Sequence, residues 1–166
     1  MSVDGRAVAN FVLDLCETDG KPITNLALQK IIYFCHVWSL VKLKEPLVGQ
    51  KFEAWQFGPV LQYVYREFKD FERDPIMTRA KRMNPHTGER EIVGYEFDDD
   101  TAQFLCKVVK VYSGISASNL VDLSHVKGGP WDVVWNHSGK VNPGMTIDDE
   151  SIVKYYSALP ENPPLK

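Results

Sequence analysis

The amino-acid sequence predicts a mainly α-helical protein (α+β by strict count), a single compact domain of six or seven helices with a β-hairpin inserted near residues 76–97. Three observations predict this class. Apolar residues recur at helical spacing along most of the chain, capping residues precede these segments, and the helical period is lost between residues 75 and 97. The chain has 166 residues, 44% of them hydrophobic, which is enough to bury one core. We expect the domain to cover residues 1–159, followed by a proline-rich flexible tail over residues 160–166.

Two helices are predicted at the N-terminal end. The first covers residues 4–18, with its apolar residues on one side, and ends before Gly20. The second begins after Thr24, a residue type that caps helix N-termini, and runs to Lys42. Most of its positions are apolar, so we expect a central helix with one thin polar edge. That edge consists of Asn25, Gln29, His36 and Ser39.

The third helix is predicted to follow a short extended segment that ends at Gly58. Pro59 suits the first turn of a helix, because its φ angle is already helical and the N–H that it lacks is not needed there. We expect this helix to run to Phe71. Its apolar face consists of Val60, Leu61, Val64, Tyr65 and Phe68.

The predicted hairpin turns at residues 84–88, where the sequence Asn-Pro-His-Thr-Gly is typical of a tight turn. The helical pattern then resumes, and each later helix has its own start signal. The first of these helices runs from Asp98 to Tyr112, and the second is capped by Ser116 or Ser118 and ends near His125. A short helix of one or two turns begins at Pro130, and the last helix covers residues 148–159.

Charge and composition favour a cytoplasmic protein. The net charge of −3 and the pI of about 5.8 provide no positive field, so we expect neither nucleic acid nor a membrane as a partner. Cys16, Cys35 and Cys106 are an odd, widely spaced set, which indicates free thiols in a reducing compartment. The N-terminal residues do not resemble a secretory signal, and the apolar run Ile31–Val41 is too short to span a bilayer.

Ser124 and His125 are adjacent and lie near Asp132, an arrangement that raises the question of a hydrolase. A nucleophile and its base must meet at hydrogen-bond distance, whereas neighbouring side chains on a helix point about 100° apart. No strand-turn-helix elbow precedes Ser124. We therefore expect His125 to end a helix before the connection through residues 128–130, and we predict no enzymatic activity.

The sequence predicts no metal site and no cofactor. Cys35 and His36 are adjacent, and no Cys-x-x-Cys or His-x-x-x-His pair occurs anywhere in the chain. The glycines match neither of the glycine-rich patterns that hold nucleotide phosphates.

Basic residues cluster around the predicted hairpin. They are Arg79, Lys81, Arg82 and Arg90, with His86 at the tip. Such charges can simply protect a solvated hairpin from pairing edge to edge with another chain. They can also form a contact surface for an acidic protein or for nucleic acid, and the sequence leaves both interpretations open.

Lys30 projects away from the polar edge of its helix, toward surfaces that should be covered. A buried lysine needs a partner, so we expect it to extend to solvent or to pair with Glu53 or Glu67. A catalytic lysine would need an open pocket as well.

The chain also has more large aromatic residues than one small core readily covers. Most should be buried, and some should line a binding groove, because tryptophan and tyrosine dominate protein-binding surfaces. The residues concerned are Trp38, Trp55, Phe57, Tyr63, Tyr65, Trp131 and Trp135.

Three segments, taken together, resemble the signatures of a known family. They are Leu28-Gln-Lys-Ile-Ile-Tyr-Phe34, Glu53-Ala-Trp-Gln-Phe-Gly-Pro-Val60, and Leu123-Ser-His125 followed by Gly129-Pro-Trp131. In their order and spacing these segments resemble the Panacea domain, the SocA-like antitoxin family, whose members are also described as phage-associated proteins. The resemblance extends over residues 5–157. Isoleucine at 31 and 32 and serine at 124 depart mildly from its usual residues, and residues 72–97 match no signature.

The resemblance implies a small, mainly helical antitoxin that neutralises a protein toxin encoded beside it by direct binding. It also implies that the antitoxin can act as an adaptor that delivers the toxin to an ATP-dependent protease of the ClpXP type. A homodimer is a further partner that the sequence leaves open. The motif residues implied to be structural or partner-binding are Leu28, Gln29, Lys30, Tyr33, Glu53, Trp55, Gly58, Pro59, His125, Pro130 and Trp131.

Two other hypotheses remain beside this one. The first is a DNA-binding regulator that uses a short helix and the basic hairpin, and it predicts salt-dependent binding to DNA. The second is a hydrolase that depends on His125.

Overall fold

The structure is a computed structural model that describes residues 2–136 and 143–159 of the chain. Within these ranges it is mainly α, as the sequence predicts. The helices are α1 (Gly5–Thr18), α2 (Asn25–Trp38), α3 (Gln62–Phe68), α4 (Asp99–Ser113), α5 (Ala117–Ser124), α6 (Pro130–Trp135) and α7 (Asp149–Ser157). The strands are β1 (Phe52–Trp55), β2 (Gly58–Val60), β3 (Lys81–Met83), β4 (Arg90–Ile92) and β5 (Thr146–Ile147). The predicted tail, residues 160–166, lies outside the described residues.

Helix α2 is the centre of the fold, as its apolar pattern predicts. It begins where Thr24 accepts a hydrogen bond from the N–H of Ala27, and it continues past Trp38 as one π-helical turn, Ser39–Leu43. Helices α1, α3, α4, α5 and α7 all pack against it. Among the described residues, the segment Asn25–Leu43 has the length and apolarity to cross a membrane, but 83% of it is buried inside the protein.

The thin polar edge predicted on α2 is present, and it is enclosed by the rest of the protein. Asn25, Gln29, His36 and Ser39 are all buried. Each has hydrogen-bond partners that make burial tolerable. Gln29, for example, accepts a 3.0 Å hydrogen bond from the N–H of Leu61 and donates one of 3.0 Å to Asn25. These side chains therefore fix neighbouring segments to the central helix.

The sequence-based start of the third helix at Pro59 is wrong. Pro59 lies in β2, which pairs antiparallel with β1, and α3 begins only at Gln62. The reason is the backbone of Gly58, whose φ of +110° turns the chain back along β1. Strand β2 is at an edge of the sheet β2-β1-β5, where a proline without an N–H is tolerated.

The predicted hairpin is present, formed by β3 and β4 in antiparallel register. Its base is held by Asn10 of α1, whose carboxamide is buried between the strand ends. Asn10 accepts a 2.8 Å hydrogen bond from the N–H of Ala80 and donates one of 2.8 Å to the carbonyl oxygen of Val93. In an ordinary ladder these two groups would bond to each other. The side chain of Asn10 therefore takes the place of one backbone hydrogen bond of the ladder and attaches the hairpin to α1.

The predicted start signals of the later helices are confirmed. Asp98, Ser116 and Asp148 each accept a hydrogen bond from a backbone N–H in the first turn of the helix that follows. Pro130 occupies the first turn of α6, and His125 is the C-terminal cap of α5.

Candidate functional site

The three motif segments meet at one place inside the protein. Lys30 comes from α2, Gly58 from the start of β2, and Ser124 from the end of α5. A Cβ atom placed on Gly58 would lie 2.5 Å from Cε of Lys30 and 2.6 Å from Oγ of Ser124. No residue larger than glycine fits this contact without displacing its neighbours. We refer to Lys30, Gly58, Ser124, His125 and Trp131 as the motif junction.

Lys30 is completely buried at the motif junction, with 0% of its surface exposed. Its ammonium group donates a 3.0 Å hydrogen bond to the carbonyl oxygen of Pro59. Burial away from water disfavours the charged form and lowers the pKa of Lys30 to about 7. The side chain therefore holds the β1–β2 turn against α2.

The expected carboxylate partner of Lys30 is absent among the described residues. Glu53 accepts a 3.2 Å hydrogen bond from the indole of Trp55, and Glu67 forms a 2.9 Å ion pair with Arg90. Lys30 neither reaches solvent nor pairs with a carboxylate, because the backbone carbonyl of Pro59 in β2, distant in sequence, accepts its hydrogen bond.

The imidazole of His125 lies flat on the indole of Trp131, with ring centroids 3.6 Å apart and an angle of 10° between the planes. The indole N–H of Trp131 donates a 2.8 Å hydrogen bond to the carbonyl oxygen of Trp55. Burial lowers the pKa of His125, and the nearby charge of Lys30 lowers it further. This stack, together with the indole hydrogen bond, links the segment between α5 and α6 to β1.

Ser124 and His125 are not assembled as a nucleophile and its base. The hydroxyl of Ser124 donates a 2.8 Å hydrogen bond to the carbonyl oxygen of Val121 in its own helix. The backbone N–H of His125 donates to the carbonyl oxygens of Val121 and Asp122, which closes α5. This is the helix-ending role that the sequence predicts for His125.

The other motif residues are mainly interior as well. Leu28 and Tyr33 are fully buried, and Tyr33 packs edge-on against Phe52 with ring centroids 5.2 Å apart. Gly58, Pro59 and Pro130 are buried, whereas Glu53 and Trp55 are half-buried. Gln29 accepts a hydrogen bond from the N–H of Leu61, just before α3 begins.

Three of the exposed residues near the motif junction are large and apolar. Phe57 forms part of the β1–β2 turn and is 57% exposed, Leu123 of α5 is 39% exposed, and Trp135 of α6 is 38% exposed. The ring of Trp135 stacks on that of Trp131 with centroids 5.8 Å apart. Of the seven aromatic residues for which the sequence predicts mostly burial, only Trp38 and Trp131 are buried, so the expectation that most would be buried is wrong. The half-buried ones are Trp55, Tyr63 and Tyr65.

The basic residues of the hairpin are largely engaged with the protein's own carboxylates. Arg79 contacts Asp14 and Glu17, with 2.7 Å to Asp14, and Arg90 contacts Glu67. Arg82 lies 3.8 Å from Glu91, and Lys81 and His86 are exposed. The hairpin is therefore a surface whose positive charge is partly neutralised.

Asn10 is the important residue that the sequence reasoning missed. An asparagine within a helical pattern is not by itself a signal, because its partners Ala80 and Val93 are at least 70 residues away. A polar residue on the otherwise apolar side of α1 was the available clue.

The sequence model of the family described as "Antitoxin SocA-like, Panacea domain" matches residues 28–132, a range that includes all three motif segments. A curated relative, "Antitoxin SocA" of Caulobacter vibrioides (strain NA1000 / CB15N), is 43% identical over 152 residues, which cover 91% of this chain and 81% of the relative. No solved structure matches the chain.

Proposed function

Because this chain belongs to the Panacea-domain family of SocA-like antitoxins, we propose that it neutralises a cognate protein toxin by binding it directly. The observation that carries this proposal is the 43% identity to an antitoxin over nearly the whole chain. The proposed partner is the product of the reading frame next to its own gene.

The motif junction supports a binding protein rather than an enzyme. Lys30 has a lowered pKa, but it is closed off from solvent in this fold, so no substrate reaches its amine. The hydroxyl of Ser124 donates its hydrogen bond to a carbonyl oxygen of its own helix rather than to a basic side chain of the described residues. These side chains connect α2, β1, β2, α5 and α6, and we infer that their role is to hold this part of the surface in one shape.

The partly neutralised hairpin supports a protein partner over nucleic acid. Arg79 and Arg90 contact carboxylates of the same chain. Binding to phosphates would have to break these contacts or leave the carboxylates beside the phosphate backbone. Lys81, Arg82 and His86 are exposed, so a hairpin that contacts an acidic protein surface is the alternative location of the interface.

Co-expression tests the proposal. Cells that express the neighbouring gene product alone should stop growing, and cells that also express this chain should grow and yield a complex on affinity purification. If this chain restores no growth and no complex forms, the proposal is wrong. If growth is restored but no complex forms, neutralisation by direct binding is also contradicted.

Blocking the toxin and delivering it to a protease predict different results in cells that lack a ClpXP-type protease. If the antitoxin blocks the toxin by binding, growth is restored with or without the protease, and the toxin level stays constant. If it is an adaptor, growth is restored only with the protease, and the toxin disappears faster when the antitoxin is present. Sedimentation of the purified chain alone tests whether it also forms a homodimer.

A further inference from the structure

Three exposed apolar residues lie next to members of the motif junction. Phe57 directly precedes Gly58, and Leu123 directly precedes Ser124, so the close approach of Gly58 to Ser124 brings these two positions of the chain together. The stacked rings of His125 and Trp131 continue this region to Trp135. We call Phe57, Leu123 and Trp135 the junction face.

The junction face is rigidly supported. Its turn is held by the hydrogen bond from Lys30 to Pro59, and its helix α6 is held by the hydrogen bond from Trp131 to Trp55. A surface that is already ordered loses little conformational entropy when it binds, which favours tight association. Exposed aromatic and aliphatic side chains on an ordered surface are typical of protein interfaces.

The charges at the junction face are mainly negative. The charged groups that act on the His125 ring are the carboxylates of Asp122 and Asp132 and the buried ammonium of Lys30. Hydrogen bonds from the N–H of Gly128 and from Asn136 lower the pKa of Asp132, so this carboxylate stays ionised. Lys127 lies near Asp132, and Lys30 does not reach solvent. A phosphate backbone or an anionic membrane would be repelled here, whereas a basic protein surface would be attracted.

We propose that the toxin binds to the junction face through a segment that places arginine or lysine side chains beside apolar ones. This inference rests on the proposed function and adds to it the location of the interface and the chemistry of the partner. The apolar side chains of that segment cover Phe57 and Leu123, and its basic groups approach Asp122 and Asp132.

Alanine variants test the location. Phe57→Ala and Leu123→Ala remove exposed side chains, so the thermal midpoint should stay near that of the wild type. Their dissociation constants for the toxin should rise by about tenfold or more. The matched controls are Met83→Ala and Ile92→Ala on the hairpin, where the side chains are 65% and 59% exposed. These two variants should bind within about twofold of the wild type.

A charge reversal tests the chemistry without removing any packing. Asp122→Lys should slow association with the toxin by about tenfold at low salt, and the difference should shrink as salt is added. Lys127→Glu, five residues away, should not slow association.

The outcomes separate this inference from the proposed function. A wild-type chain that binds no neighbouring gene product overturns the proposed function and this inference with it. A wild-type chain that binds, together with Phe57→Ala and Leu123→Ala variants that bind equally well, overturns this inference alone. The inference is also overturned if the hairpin variants lose binding instead. It is overturned as well if the free chain forms a homodimer that Phe57→Ala dissociates.

Discussion

Lys30 donates a 3.0 Å hydrogen bond to the carbonyl oxygen of Pro59, and no part of the lysine reaches solvent. Placing an ammonium group beside a single carbonyl, with no carboxylate nearby among the described residues, leaves much of the cost of removing it from water uncompensated. This unfavourable contribution to stability is located where the three motif segments meet.

The lysine should make stability depend on pH. The pKa of Lys30 is about 7 in the folded chain, whereas an unfolded lysine has a pKa of about 10.4. Between these values the unfolded state binds more protons, so this group makes the free energy of unfolding rise with pH, by at most about 1.4 kcal/mol per pH unit. In Lys30→Met this contribution is lost. Urea unfolding of both proteins at pH 7, 8 and 9 measures the difference.

Lys127→Met is the control for this prediction, because Lys127 is exposed. Its free energy of unfolding should follow the wild-type pH dependence. Parallel curves for the wild type and Lys30→Met would show that the folded-state pKa of Lys30 is not lowered.

Gly58→Ala should destabilise the protein by more than about 2 kcal/mol. The residue has a φ of +110°, and the new methyl group would overlap Lys30 and Ser124. Gly88→Ala measures the cost of a left-handed backbone alone, since Gly88 has a φ of +73° but would have open space around its Cβ. That control should cost only about 1 to 2 kcal/mol from backbone strain. If the two variants lose the same stability in thermal unfolding, the crowded contact at Gly58 does not contribute.

Asn10→Ala should detach the hairpin from α1. The N–H of Ala80 and the carbonyl of Val93 would both lose their buried partner, at a cost of about 2 to 3 kcal/mol. Amide hydrogen exchange should speed up at Ala80 more than in the middle of α2. Asn119→Ala, the same change on an exposed helix position, should alter neither stability nor exchange. If the amide of Ala80 exchanges as slowly in Asn10→Ala as in the wild type, Asn10 does not replace a backbone hydrogen bond of the sheet.

His125→Ala should lower stability by about 1 to 2 kcal/mol, because it removes the ring stacked on Trp131. His125→Phe keeps a flat ring there and should recover most of this loss. The pKa of His125 is lowered in the folded state, so the unfolded state binds more protons as the pH falls through about 6.5. The wild type should therefore lose stability relative to His125→Phe between pH 7.5 and pH 5.5 in thermal unfolding. A constant difference would mean that His125 titrates normally.

Local signals made most helix boundaries predictable. Thr24, Asp98 and Ser116 each supply a side chain that bonds to the next few backbone groups, and such contacts depend on nearby residues only. The start of α3 was not predictable in this way. Proline after glycine fits either a helix start or an edge strand, and the pairing with β1 decides between them.

The candidate site was predictable as a set of motifs but not as an arrangement. The order of the three segments indicated the family, which the comparisons confirm. The partner of Lys30 and the stack of His125 on Trp131 depend on chain segments that meet only after folding. Residue types and spacing cannot specify such meetings, which is why a carboxylate was expected beside Lys30.

The enclosure of Lys30 has a consequence for how such sequences are interpreted. The buried residues of the signature identify relatives by their framework, whereas Phe57 and Leu123, which lie within the same segments, are exposed. If recognition resides in these two side chains and the nearby carboxylates, exchanging that small set between two relatives should exchange their toxins while the framework stays intact.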